Sequence, residues 1–230
     1  YYFLDQAMRY GVGHDTGFTY ESGTTVFKPH VIQRYKNRKK LPTRKFMCLM
    51  GVCTEARNAF YSFYKKNNLM EDNYISYIHN GVVLPDSGYD MGRGRDRYPS
   101  GASTENLTSY YKDSYFTVLH ETGNWEITTF QRTLSFTEKI AKVLYHGHPF
   151  ILLSQPGALK KLKTWGFKTF PELFDESYDY KYYNSTVGKI EFVKKEILRL
   201  VNMDDNKLYD LCESVQDKCI HNQDIFIKSE

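Results

Sequence analysis

No apolar run in this sequence is long enough to cross a membrane, because the longest, Pro149 to Leu153, has the length of one buried strand. Cysteine is scarce. The four residues at 48, 53, 212 and 219 lack the two-residue spacing of a zinc knuckle, and a 230-residue chain needs no disulfide staples. Reduced, buried thiols are therefore expected. Charge of one sign is nearly absent in excess: 31 Lys and Arg stand against 27 Asp and Glu, a net +4 that demands no nucleic acid but suits an anionic ligand. No Asp-x-Asp triplet occurs. Nor is there an initiator Met or a basic-then-apolar leader at Tyr1-Tyr2-Phe3-Leu4-Asp5, so the expectation is a cytoplasmic protein, in whole or as a fragment. Two triplets, Asn106-Leu107-Thr108 and Asn184-Ser185-Thr186, fit a glycan acceptor pattern but carry little weight without such a leader.

Aromatic residues are plentiful. They make up 16% of the chain, with 20 Tyr, which disordered chains do not have. Residues 1–33 lack a sustained period and are broken by Gly11, Gly13, Gly17 and Gly23, and a basic run from Arg34 to Lys40 then precedes Pro42 and marks a boundary near residue 43. Beyond that boundary the pattern sharpens. Phe46 to Met50 is a short apolar run bounded by Gly51, the mark of a buried parallel strand. Thr54 is a candidate N-cap for a helix over 55–66, with Ala56, Phe60, Phe63 and Tyr64 on one side. A strand over 74–78 follows.

Residues 80–110 interrupt the rhythm with Gly, Ser, Asp, Arg and Pro, reading as a long functional or mobile loop. Strands at 115–119 and 150–153 then alternate with helices at about 137–146 and 156–165. The remainder is helical, including one helix at about 205–220. The fold class expected is α/β, a Rossmann-like doubly wound sheet over 44–180, followed by C-terminal helices over 181–230.

In such sheets ligands bind at the carboxyl ends of the strands, where helix N-termini aim free N–H groups at anions. Three places qualify. After the first strand, Gly51-Val52-Cys53-Thr54 lets backbone approach a phosphate, and Arg57 one turn on can fork onto it; an exposed Arg on an amphipathic helix is the plainer reading. At Ser135-Phe136-Thr137-Glu138-Lys139, Ser135 and Glu138 satisfy a capping box. Lys139 is left over, a cation in a first turn where the macrodipole disfavours it unless an anion shares the helix end. At His120-Glu121-Thr122, Glu121 is placed to bind sugar or ribose hydroxyls, or simply marks a strand emerging into water. His146 and His148 flank a turn glycine and lack the further ligands of a metal site.

Read in order, Cys48 to Arg57, His120-Glu121-Thr122, Ser135 to Ile140 and Gly147 to Leu152 resemble the donor-binding half of GT-B glycosyltransferases, most closely the fucosyltransferase type. The stretch Pro156 to Leu159, with Trp165 to Phe170 and Asp175 to Asp179, is similar to glycosyltransferase-like proteins common in phages and environmental sequences. The resemblance covers about 45–180, and the Gly51–Glu55 turn departs from the fucosyltransferase pattern, leaving the base preference open.

It implies a C-terminal donor-binding domain of a GT-B fold. Arg57 and Lys139 would neutralise the diphosphate of a GDP- or UDP-linked sugar, with Ser135 and Thr137 at the same helix start. Glu138 would bind donor hydroxyls, and Glu121 would share that task or steady the cationic sugar in the transition state. The nucleotide sugar is a co-substrate and no metal or other cofactor is implied. The acceptor, whether glycan, protein or modified DNA, is undefined. Residues 1–43 are too few for a complete acceptor domain, and His14 and Asp15 are the one pair there to weigh as a base against an ordinary turn. Two other classes stay open: a nucleic-acid binder using basic residues 34–45 and 92–97, and a non-catalytic nucleotide-sugar-binding domain.

Overall fold

The structure, a computed structural model, describes residues 41–50, 54–79, 82–84, 109–121, 136, 138–182 and 185–228. Strand β1 (Arg44–Met50) leads into helix α1 (Glu55–Lys66), which Thr54 caps: its Oγ1 accepts from the Arg57 N–H, with Glu55 in the first turn and Lys65 and Lys66 in the last. Then come β2 (Tyr74–His79), β3 (Val82–Leu84), β4 (Ser114–His120), α2 (Glu138–Tyr145), β5 (Phe150–Leu153) and α3 (Ala158–Thr164). The chain continues through α4 (Tyr178–Lys181), α5 (Thr186–Val201), α6 (Asp205–Ser214) and α7 (Gln216–Lys228).

The strands lie in the order β3-β2-β1-β4-β5. β1 runs parallel to β2 and β4, and β4 parallel to β5, so four strands form a parallel sheet. Their apolar content follows from burial on both faces: every residue of β4 and of β5 is buried. Because side chains alternate, Phe116 faces one layer, stacking on Phe46 and meeting Phe174, while Tyr115 faces the other, its backbone carbonyl accepting from Cys212 Sγ in α6. Helices therefore cover both faces of a Rossmann-like α/β sheet. The first crossover steps from β1 out to β2 and the later one from β4 out to β5, which puts the topological switch point between β1 and β4.

Two expectations need correction. The segment read as an uninterrupted loop from 80 to 110 contains β3, which pairs antiparallel with β2 through Ile78 and Val83. A three-residue strand is too short to show a period, although Val82-Val83-Leu84 has the β-branched content. The expected single helix over 205–220 is two, α6 and α7. The break is at Val215, which is fully buried while its backbone leaves the helical region at φ −102 and ψ 6. Helices α5, α6 and α7 contribute Ile190, Val193, Ile197, Leu208, Cys212, Cys219 and Phe226 to the same core as the strands.

Cys48, Cys212 and Cys219 are free and buried, as expected. Burial pushes the Cys48 thiol up to about 12, so it is an inert core group. Among the described residues, no helix is long and apolar enough to cross a membrane.

The amino edge of the sheet is closed by side chains that bond to one another. His148 Nε2 meets the Ser114 carbonyl at 3.1 Å, and its Nδ1 meets Thr117 Oγ1 at 2.9 Å and the Pro149 carbonyl at 3.0 Å. His146 stacks on Tyr111 with centroids 4.1 Å apart. These contacts give both histidines a packing role, and the His148 nitrogens are committed to protein partners rather than to a metal.

Candidate functional site

The carboxyl edge carries different chemistry. Capping by Thr54 starts α1 so that Arg57, one turn in, points back across the end of β4. There Arg57 Nη2 donates to the His120 carbonyl at 2.7 Å, and the residue is only 1% exposed. The exposed-Arg reading is thereby overturned: Arg57 shares the buried face of α1 with Phe60 and Tyr64.

His120 ends β4 with its ring edge-on to Phe60 at 4.5 Å. Burial, Arg57 and Lys139 together hold its imidazole well below the usual histidine range. Protons are disfavoured there first because the ring is buried, and then because two cations, from α1 and from the first turn of α2, act on the same strand end. Glu121 follows, 2% exposed, with its N–H donating to the Leu153 carbonyl at 2.9 Å. That bond places Glu121 between β4 and β5.

Of the residues singled out in the sequence, Arg57, Glu121 and Lys139 are thus brought to the carboxyl edge around His120. Glu138 opens α2 beside Lys139. Ser135 and Thr137 lie outside the described residues, as do His14, Asp15 and the basic stretches at 34–40 and 92–97.

Sequence reasoning missed a second buried cation. Lys189, 2% exposed, reaches from α5 to donate through Nζ to the Ser154 carbonyl at 2.8 Å, just past β5. Its ammonium also stands 5.7 Å from the Tyr178 ring centroid. Burial lowers it to about 8, against an opposing pull from Asp179. The signal was present: Lys189, Val193 and Ile197 recur every four residues on the buried face of α5, so a lysine occupies a core position.

Arg57 and Lys189 do the same job on neighbouring parallel strands. Arg57 takes the carbonyl of the last residue of β4 and Lys189 the carbonyl just past β5, and each brings positive charge into a buried place. Such an edge is suited to an anion and to polar groups beside it.

The fold and site together define a Rossmann-like α/β protein with a cationic site at the switch point of its parallel sheet. No family model, curated protein or solved structure matches the chain.

Proposed function

We propose that the carboxyl edge binds the diphosphate of a nucleotide sugar and that the chain is the donor-binding part of a glycosyltransferase of the GT-B type. The observation that carries this reading is the buried Arg57 guanidinium on the His120 carbonyl at the switch point between β1 and β4, with Lys139 in the first turn of α2 near enough for its charge to reach the same strand end. As the glycosidic bond breaks, negative charge builds on the leaving diphosphate, and cations fixed in a water-poor site stabilise it without having to reorganise. The N–H groups opening α2 add to that field, with Ser135 and Thr137 supplying hydroxyls at the same end. Lys and Arg charge then does the work a divalent ion does elsewhere.

Glu138 binds hydroxyls of the donor, GDP- or UDP-linked. Glu121, between β4 and β5, binds the same sugar or steadies its cationic transition state. His120 stays neutral beside the diphosphate and keeps the Phe60 side of the site dry. The acceptor is a glycan, a protein or a modified DNA base.

The test is thermal shift of the full chain against GDP, UDP, CDP and ADP and their sugar conjugates, with and without Lys139→Ala. One nucleotide at about 100 times its Kd adds about 2.7 kcal/mol to stability, several degrees in melting temperature, and the variant loses that response. Flat curves for every nucleotide, or a response that Lys139→Ala leaves intact, would sink the reading.

A further inference from the structure

Beyond β5, on the Phe116 side of the sheet, α3, α4, α5 and the 171–177 segment enclose a groove of about 760 Å³. Its size falls in the range of small-molecule sites. It lies outside the edge strand, away from the switch point, and nothing in the nucleotide-sugar reading uses it.

Three features set its chemistry. Asp179 lines the groove and is 5% exposed; its Oδ2 accepts from the Lys160 N–H at 3.3 Å, but no donor among the described residues reaches its Oδ1. A buried carboxylate oxygen without a donor is costly, and native structures keep one where a ligand or water completes it. Tyr180, also on the lining, is 71% exposed, one of two large apolar side chains so exposed among the described residues. Finally, the lining holds both signs of charge, five carboxylates with three Lys and Arg.

Most of those charges are spent on the protein. Glu176 takes the Lys163 ammonium at 3.0 Å, the Thr169 hydroxyl and the Phe170 N–H, and Glu196 takes Arg199 at 2.9 Å. The excess of carboxylate repels a phosphate. An amine finds most of these carboxylates already paired, Glu172 with Lys218 among them, and at Asp179 it meets Lys189, close enough to feel that carboxylate's charge. What suits such a groove is a neutral ligand whose every polar atom both donates and accepts, with an apolar face to lay on an aromatic ring.

We propose that this groove binds a sugar, one hydroxyl donating to Asp179 Oδ1 and the C–H face of the ring lying on Tyr180. A hydroxyl on Asp179 ends its donor deficit, and the negative face of the Tyr180 ring attracts the slightly positive C–H hydrogens. Occupancy does not depend on a nucleotide, so the site stands or falls apart from the switch-point site.

Saturation-transfer difference NMR on the full chain without nucleotide, probing glucose, galactose, mannose, fucose and N-acetylglucosamine in turn, tests it. Spermidine and inorganic phosphate serve as comparators. Ring protons of at least one sugar are expected to saturate, with affinity about tenfold weaker in Tyr180→Ala and in Asp179→Asn. Tyr180→Ala removes an exposed side chain and leaves the fold in place, and circular dichroism verifies it. No saturation of any sugar by the folded wild-type chain would overturn the proposal. So would a signal that neither substitution weakens, or preferential binding of spermidine or phosphate at Asp179.

Discussion

The two ends of the sheet use polar residues in opposite ways. At the amino edge, His148 meets protein on both ring nitrogens, and Asp113 gathers the Thr43 N–H, the Thr43 hydroxyl and the Tyr74 hydroxyl. Those contacts hold the Asp113 carboxyl below its usual range despite partial burial. At the carboxyl edge, Arg57 and Lys189 cap strand-end carbonyls with positive charge, and their surroundings push His120 and Lys189 towards the neutral form. Both ends are buried and polar, so burial alone does not separate structure from function. The two edges differ in what the groups meet: at the amino edge donors surround the Asp113 carboxylate, whereas at the carboxyl edge burial disfavours the charged forms of His120 and Lys189, and Arg57 and Lys139 add to it at His120.

The strongest way to break that contrast is to remove one residue from each edge. His148→Ala forfeits contacts to Ser114, Thr117 and Pro149 and opens a cavity, with an expected loss of about 3 kcal/mol in urea unfolding. Arg57→Met keeps most of the volume but leaves the His120 carbonyl without its donor, costing about 2 kcal/mol. The two should then part company. Where both variants are folded, His148→Ala retains the thermal response to the nucleotide and Arg57→Met loses it. Loss of response in both would mean the edges are not functionally distinct.

Lys189 gives an effect of similar size that depends on pH. Its folded value, about 8, lies below the ordinary 10.5, so between these values the unfolded chain holds a proton that the folded chain has released. Stability from this group therefore rises as pH climbs from about 8 to about 10.5, by up to about 3 kcal/mol. Other groups titrate in that window as well. The readout is accordingly the difference between wild type and Lys189→Met, whose stability lacks this rise. Parallel curves would show that the ammonium is well solvated and would remove the second cation from the carboxyl edge.

Much of the scaffold was legible because its signals are local. The apolar runs at 46–50 and 150–153, the Thr54 cap and the β-α rhythm each need only a few adjacent residues, and each corresponds to an observed element. The switch point follows from strand order, which no local pattern carries. The burial of Arg57 escaped for the same reason: a helix face reads Ala56, Phe60, Phe63 and Tyr64, but which strand end lies beneath α1 is a tertiary fact. Asp179 and Lys189 are 10 residues apart in sequence yet sit on different elements, Asp179 meeting Lys160 and Lys189 meeting Ser154, so their proximity had no spacing to betray it. Lys139 was different. A cation in the first turn of a helix is a local anomaly, visible in sequence because the macrodipole is local too.

Lys139 also supplies the smallest effect, and the one that tests the carboxyl edge without any ligand. It is partly exposed, so Lys139→Ala should change stability by no more than about 0.5 kcal/mol. Its charge nevertheless reaches His120, where it ranks after burial and Arg57 among the causes that lower the imidazole. Removing a neighbouring cation favours protonation, so the His120 value should rise in the variant while staying below the usual histidine range. The stability consequence has the same sign. A histidine held low in the folded state loses stability as pH falls below about 6.5, since only the unfolded chain then takes up the proton, and Lys139→Ala should soften that loss. Heteronuclear NMR of the His120 ring across pH 4 to 7 measures the shift directly. An unchanged His120 titration in a folded Lys139→Ala chain would mean that Lys139 points away from the strand end, and the cationic site would reduce to Arg57 alone.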